Sequence, residues 1–334
     1  MPSPRRLYSD SNTMACDDKF NHRMLLIREE TVRRLLPMAE AIRLVRSAFE
    51  GLNTGAAVNQ PRRRLFTAGG AVLHQLAGSY GNYFGTKIYS THVKHGAWFL
   101  VQLYDAGTGR PLALVEANHL GQIRTGAASG VATDLLAPVE ADVLCVIGSG
   151  FQARTQVEAI RSVRRLREVR VWSRNKERRE AFAREVGATA FETAEQAVRG
   201  ASIVTTITFA KDPVLSQEWI GPGTHINAAG SNNPQRRELP AELIRRADLI
   251  AVDAMDQAKM ESGDLVLALR PEEWDAAPIT ELRHVCAGRT GRTSPAEVTI
   301  FKSNGLGVQD VAVASHVYEQ AMAEGAGEQI RLYS

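Results

Sequence analysis

Residues 142–147 read as a short apolar strand that runs directly into Gly148-Ser149-Gly150-Phe151-Gln152-Ala153 and then into a helical stretch over 154–163. Few patterns restrict a fold more. Gly148 permits the tight strand-to-helix turn, Gly150 lets a phosphate approach the backbone, and Ala153 lets helix and strand pack closely. The helix start then offers unpaired N–H groups and the positive end of its dipole, the chemistry that receives a pyrophosphate. Glycines alone would be a weak signal. The strand before them and the helix after them make a dinucleotide the expected ligand. Gly148, Gly150, Phe151, Gln152 and Ala153 are therefore the expected cofactor loop.

The rhythm around this loop sets the fold class. Strands over 142–147, 168–172, 188–191, 202–208, 225–229, 248–252 and 298–302 alternate with helical stretches. That alternation implies an α/β protein with a Rossmann doubly wound parallel sheet. Upstream, Ala41, Ile42, Val45, Ala48, Phe49 and Leu52 form one face of a helix over 38–52. Strands over 24–30, 64–67, 71–77, 85–91, 98–104 and 111–116 then read as an antiparallel sheet, giving an α+β unit. A small-residue helix over 121–136 carries Arg124 near its start, and Pro138 marks a hinge. A last helix over 311–325 follows the final Rossmann strand and is expected to return to the first unit. The expected organisation is a flexible extension over 1–23, an α+β domain over 24–137 plus 304–334, and a Rossmann domain over 138–303.

Composition removes several function classes. With 334 residues there is room for two domains. A net charge of +3 gives no footprint for nucleic acid or for an anionic membrane surface. No apolar run reaches bilayer length. The first residues lack the apolar core of a secretory signal, so the cytoplasm is the expected compartment. Cys16, Cys145 and Cys286 are widely spaced, and no C-x-x-C pair suggests zinc or redox chemistry. His74, His92 and His95 stand at no metal-ligand spacing and read as ordinary structural or surface histidines, so no metal is expected.

Ser173-Arg174-Asn175 follows the second Rossmann strand. An acidic residue there would accept from a ribose 2′-hydroxyl. None is present, and Arg174 suits a 2′-phosphate instead. NADP(H) is the expected coenzyme, with NAD(H) as the alternative if Arg174 is only a surface residue.

Further blocks occur in a fixed order: Gly85-Thr86-Lys87, 108–114, Arg124-Thr125-Gly126, 148–153, 223–231, Arg237-Glu238-Leu239, Glu261-Ser262-Gly263-Asp264-Leu265 and 302–310. Together they resemble the ornithine cyclodeaminase/mu-crystallin family. The resemblance implies a homodimer paired through the α+β domain, which would serve substrate binding and dimerisation. It also implies that Arg63 and Arg124 grip a substrate carboxylate, as a planar guanidinium fork can. Three consecutive arginines leave that register open by one. Lys87 matches an active-site lysine that exchanges a proton, and neighbouring arginines and burial would lower its pKa. Arg124 and Thr125 are implied on the phosphate side of the coenzyme, and Thr206, Ile207 and Ser231 near the nicotinamide. Asp310 either orients a site residue or caps the last helix.

Asn232 departs from the family pattern. Cyclodeaminases carry an aspartate there as acid and base, and a side-chain amide cannot take up a proton at neutral pH. The expected activity is therefore an oxidoreductase that uses NAD(P)H to reduce the C=N bond of a small imino acid, a ketimine or pyrroline-carboxylate. Lys87, Asn232 and Asp310 are the candidate catalytic residues. The alternatives are a cyclodeaminase-type lyase with recycled NAD and an NADP-dependent binding protein of the mu-crystallin kind.

Overall fold

Two β-sheets divide the strands. In the computed structural model, which describes residues 23–331, the chain begins with β1 (Arg23–Ile27), α1 (Glu29–Leu35), α2 (Met38–Thr54), β2 (Ala57–Phe66), β3 (Val72–Tyr80), β4 (Tyr83–His92), β5 (Gly96–Asp105), β6 (Pro111–Glu116) and α3 (Asn118–Leu136). The alternating part follows: β7 (Val143–Ile147), α4 (Ala153–Val163), β8 (Glu168–Trp172), α5 (Lys176–Val186), β9 (Thr189–Ala190), α6 (Ala194–Val198) and β10 (Ile203–Thr206). It continues through β11 (His225–Ala228), α7 (Ala241–Arg246), β12 (Leu249–Val252), α8 (Met255–Glu261), α9 (Gly263–Val266), β13 (Ile279–Glu281), α10 (Leu282–Cys286) and β14 (Thr299–Lys302). The chain closes with α11 (Gly307–Glu324) and β15 (Glu328–Arg331). The expected extension, with Cys16, lies outside the described residues apart from Arg23.

The second sheet has the order β13-β12-β14-β11-β10-β7-β8-β9, and every neighbouring pair is parallel. This is the α/β, doubly wound architecture expected from the alternation. Strand order turns back between β7 and β10, and the glycine loop leaves β7 at that point, where open α/β sheets bind ligands. β7 is buried along its whole length, as a strand covered on both faces must be. Cys145 is a sealed core residue within it.

The first sheet has the order β15-β1-β6-β5-β4-β3-β2. β2 to β6 form the expected antiparallel meander, but β1 runs parallel to β6, so the sheet is mixed. The strand expected to reach residue 30 stops at Ile27, because Glu29 and Glu30 open α1, with Arg33 and Arg34 in its last turn. That charge order suits the helix dipole.

The chain's last segment returns to this first sheet. α11 packs against β2, β3, β4 and α2, and β15 pairs antiparallel with β1. α11 begins at Gly307, four residues earlier than the spacing suggested, and Leu306 stands at its N-cap. Asp310 therefore lies inside the first turn rather than capping the helix. One hydrophobic cluster joins the first sheet, α2, α3 and α11, and reaches Ala159 of α4 and Phe301 of β14. Contact between α3 and α4 is especially close. A Cβ on Gly126 would stand 2.4 Å from the Thr155 carbonyl oxygen. The helix bearing Arg124 is thereby seated against the helix that follows the glycine loop.

Candidate active site

The pleat of the first sheet decides which side chains meet. Residues directly opposite on neighbouring strands point to the same face. Lys87 stands between Leu76 and Val101, and Tyr89 between His74 and Phe99. On β2, Arg64 faces His74 and Arg63 faces Gln75, with a bulge between Gln60 and Arg63. The inner face therefore carries Arg62 and Arg64, with Arg62 buried and Arg63 exposed on the opposite face. Arg63, expected to grip a carboxylate, thus points away from Lys87, and Arg62 stands on the Lys87 face instead. A bulge re-aims side chains without leaving a mark in composition.

Lys87, Arg124 and Asp310 come together from β4, α3 and α11. Lys87 Nζ donates to Asp310 Oδ1 at 2.9 Å, and Arg124 Nε donates to the same oxygen at 3.0 Å. Asp310 is 0 % exposed and Lys87 2 %. Burial pulls the Lys87 ammonium down to about 8, and the charges of Arg124 and Arg62 add to this against the pull of Asp310. α3 leaves room for the lysine at Gly121, where a Cβ would come within 2.6 Å of Nζ.

A second buried charge cluster lies beside the first. Arg62 pairs with Glu261 and donates to the Asn304 carbonyl at 2.8 Å. Arg64 reaches the other Glu261 oxygen at 2.7 Å and the Asn232 carbonyl at 2.9 Å. Burial opposes the charge on Arg62, but Tyr89, Glu261 and Asp310 outweigh it and raise its pKa. Arg64 thus links the Lys87 sheet to the loop after β11, where Asn232 stands in place of an acid. Of the two expected alternatives, His74 is a buried structural histidine rather than a surface one. Burial and the nearby Arg64 and Arg62 hold it at about 4, so its ring is neutral. The His92 and His95 rings lie 4.5 Å apart, tilted by 35°, where β4 turns towards β5.

The second sheet supplies a coenzyme cradle. Gly148 has φ of 121°, a left-handed value that suits glycine. A Cβ on Gly150 would meet nothing within 4 Å, so the space over the loop is open. Gln152 at the N-cap of α4 makes no side-chain cap; the Ala153 N–H turns back to the Gly150 carbonyl at 3.1 Å, and the N–H groups that follow it are the ones that would meet a phosphate. These features fit a dinucleotide. Gln122 of α3 donates to the Phe151 carbonyl and holds the loop against the Lys87 side. Ser149 and Ser173 share a hydrogen bond of 2.8 Å. Asn175, expected at the coenzyme, uses its side-chain oxygen to cap α5 through the Arg178 N–H. Arg174 is exposed beside it. Thr125 donates to the Gly121 carbonyl at 2.8 Å within its own helix.

Beneath the expected nicotinamide position lies a network that residue types alone did not reveal. Glu238 accepts from Thr206 Oγ1 at 3.0 Å, Thr208 N at 2.6 Å and Gly230 N at 2.8 Å. Burial, with Asp264 adding, raises its pKa. Lys302 pairs with Asp264 at 2.9 Å and donates to the Ser231 carbonyl at 2.7 Å. Thr206 and Ser231 are buried at this floor, and Ile207 is 8 % exposed. The ordered blocks that contain Glu238, Glu261, Asp264 and Lys302 were the only sequence signal for these residues. A surface cavity of about 610 Å³ lies elsewhere, lined by Leu52, Val58, Asn59, Asp253, Asp256 and Lys259 among others, and none of the Lys87 cluster lines it.

The fold just described recurs in proteins of known activity. The ornithine cyclodeaminase/mu-crystallin family profile matches residues 22–325. A Delta(1)-pyrroline-2-carboxylate reductase of Bacillus cereus is 41 % identical over 239 residues, 69 % of this chain and 73 % of that protein. The structure of Thermococcus litoralis Delta(1)-pyrroline-2-carboxylate reductase in complex with NADH and L-proline superposes with a TM-score of 0.86 at 30 % identity, covering 92 % of this chain and 100 % of the other. An archaeal alanine dehydrogenase dimer with bound NAD superposes with a TM-score of 0.88 at 33 % identity, over 93 % and 100 % of the two chains. With its profile match across both sheets, the chain belongs to the ornithine cyclodeaminase/mu-crystallin family.

Proposed function

We propose that this protein uses a reduced nicotinamide coenzyme to reduce the C=N bond of a small imino acid. One observation carries the reading. A buried lysine with a lowered pKa, Lys87, stands with Arg124 on Asp310, while the neighbouring loop offers Asn232 in place of a carboxylic acid. A bound coenzyme would supply the hydride. Lys87 supplies the proton that the product nitrogen needs, and it is poised for this near neutral pH. Arg124, Arg62 and Arg64 bind and orient the substrate carboxylate. Asp310 positions Lys87 and Arg124 through a single oxygen. Asn232 holds substrate by hydrogen bonds and takes no proton, which disfavours a lyase.

The test is a panel of cyclic and acyclic imino acids with either coenzyme, followed at 340 nm. Steady coenzyme oxidation with at least one of them is expected. Ornithine is expected to release no ammonia at any pH from 6 to 10. Robust proline formation from ornithine would show that another group replaces the missing acid.

For the coenzyme we favour NADP(H), on Arg174 and the lack of a carboxylate at the end of β8, although the solved relatives above hold NADH and NAD. Arg174→Ala is expected to weaken NADP binding by about 1–3 kcal/mol and leave NAD binding unchanged. Tighter binding of NAD than of NADP by the unaltered protein would overturn the preference. A homodimer is part of the same reading. The outer face of the first sheet exposes Leu65, Phe84, Trp98 and Leu100, an apolar surface of the kind a second copy covers. No helix among the described residues is long and apolar enough to cross a membrane, and the cytoplasm remains the expected compartment.

A further inference from the structure

Tyr89 occupies an unusual place on β4. It lies two residues beyond Lys87 on the same inner face, and the Lys87 Nζ stands 5.8 Å from its ring centre. Both faces of the ring are covered. His74 stacks on one side at 4.2 Å with an interplanar angle of 1°, and Phe99 on the other at 4.9 Å. The sandwich leaves the phenol no freedom to turn and points its function to the ring edge. Tyr89 is 8 % exposed, and its hydroxyl makes no hydrogen bond among the described residues and is not one of the sealed unpaired atoms, so it stays open to a ligand.

Other groups around it are also unpartnered. Arg62 Nε and His74 Nδ1 are buried without a hydrogen bond. Arg62 lies within electrostatic reach of Tyr89, and His74 within reach of Arg62 and Arg64. Arg62 and Tyr89 thus offer N–H and O–H donors on one inner face, next to the carboxylates of Glu261 and Asp310. The ligand group that satisfies them together is an anionic acceptor with more than one lone pair, a carboxylate. A phenylalanine at this position would complete the same stack, so packing alone does not call for the hydroxyl.

We propose that Tyr89 is a substrate-binding residue whose hydroxyl donates to the carboxylate of the imino acid beside Arg62. The proposal rests on the reductase reading for its substrate but not for its test. Tyr89→Phe keeps the stack and removes only the donor. With pyrroline-2-carboxylate, KM is expected to rise about ten- to hundredfold while kcat stays within about threefold. With 1-pyrroline, which lacks the carboxylate, KM is expected to be unchanged, as is coenzyme affinity. Equal losses on both substrates, or an unchanged KM for the acid, would overturn the role. Calorimetric titration of the coenzyme-loaded protein with pyrrole-2-carboxylate, a planar ring acid with no imine to reduce, gives a readout independent of turnover. About tenfold or greater weakening in the variant is expected. Equal binding by both proteins, or none by either, overturns the proposal. Tyr89-dependent binding without any imine reduction would instead leave Tyr89 in place and remove the reductase reading.

Discussion

Lys87→Met is expected to lower kcat about 10²–10⁴-fold, the usual range for losing a positioned proton donor. Methionine keeps much of the stem volume and removes the charge and the proton, so the change isolates the chemistry. Coenzyme affinity should hardly move, because the glycine loop and Arg174 belong to the other sheet. The pH profile offers a second check on the unaltered protein. Lys87 loses its proton at about 8. The donor form is therefore present below that pH and is lost as pH rises through it, so kcat/KM should fall above about 8. A variant with near-normal turnover, or a profile that stays flat to pH 10, would remove Lys87 from the reaction.

The second large effect is expected at Asp310. Its single oxygen Oδ1 serves both Lys87 and Arg124, and all three side chains are almost wholly buried. Asp310→Asn keeps the shape and removes the only anion that, among the described residues, pairs with either cation. Breaking a buried pair in this way costs about 3–5 kcal/mol, because an uncompensated charge stays behind. The loss should appear as a lower urea midpoint. Asp310 also works to hold the proton on Lys87, so the alkaline limb of the rate profile should move to lower pH in the variant. Unchanged stability together with an unmoved limb would show that the charges are compensated elsewhere.

Local features were legible from residues alone. The 148–153 loop reads directly because turn, phosphate approach and helix packing are all decided within a few residues. The β2–β6 meander reads because its strands alternate and are separated by turn residues. Longer-range arrangements were not legible. Whether Arg62, Arg63 or Arg64 faces Lys87 depends on the bulge between Gln60 and Arg63, and its position is set by the register with β3. β13 and β15 span only three and four residues, too few for any period to show. Tyr89 carried no signal and His74 read as an ordinary histidine, because alternation tells which residues share a face, not which face is buried. Glu238, Glu261 and Lys302 act through partners far away in sequence, so their pairing appears only once β11, α8, α9 and β14 are brought together.

The return of α11 to the first sheet has a consequence for how the protein is made. Arg124 is synthesised 186 residues before Asp310, and Lys87 223 residues before it. At about 5–20 residues per second on the ribosome, roughly 10–40 s separate Arg124 from its counter-charge. During that interval the sheet lacks the helix that covers its inner face and the strand that borders β1. The alternating half waits almost as long, because β14, which sits between β12 and β11, is made only just before α11. The glycine loop with β7, β8 and β10 is complete by residue 206. A chain cut off between there and residue 299 therefore carries the loop that would receive a phosphate, while its second sheet lacks an inner strand and Lys87 and Arg124 lack their counter-charge.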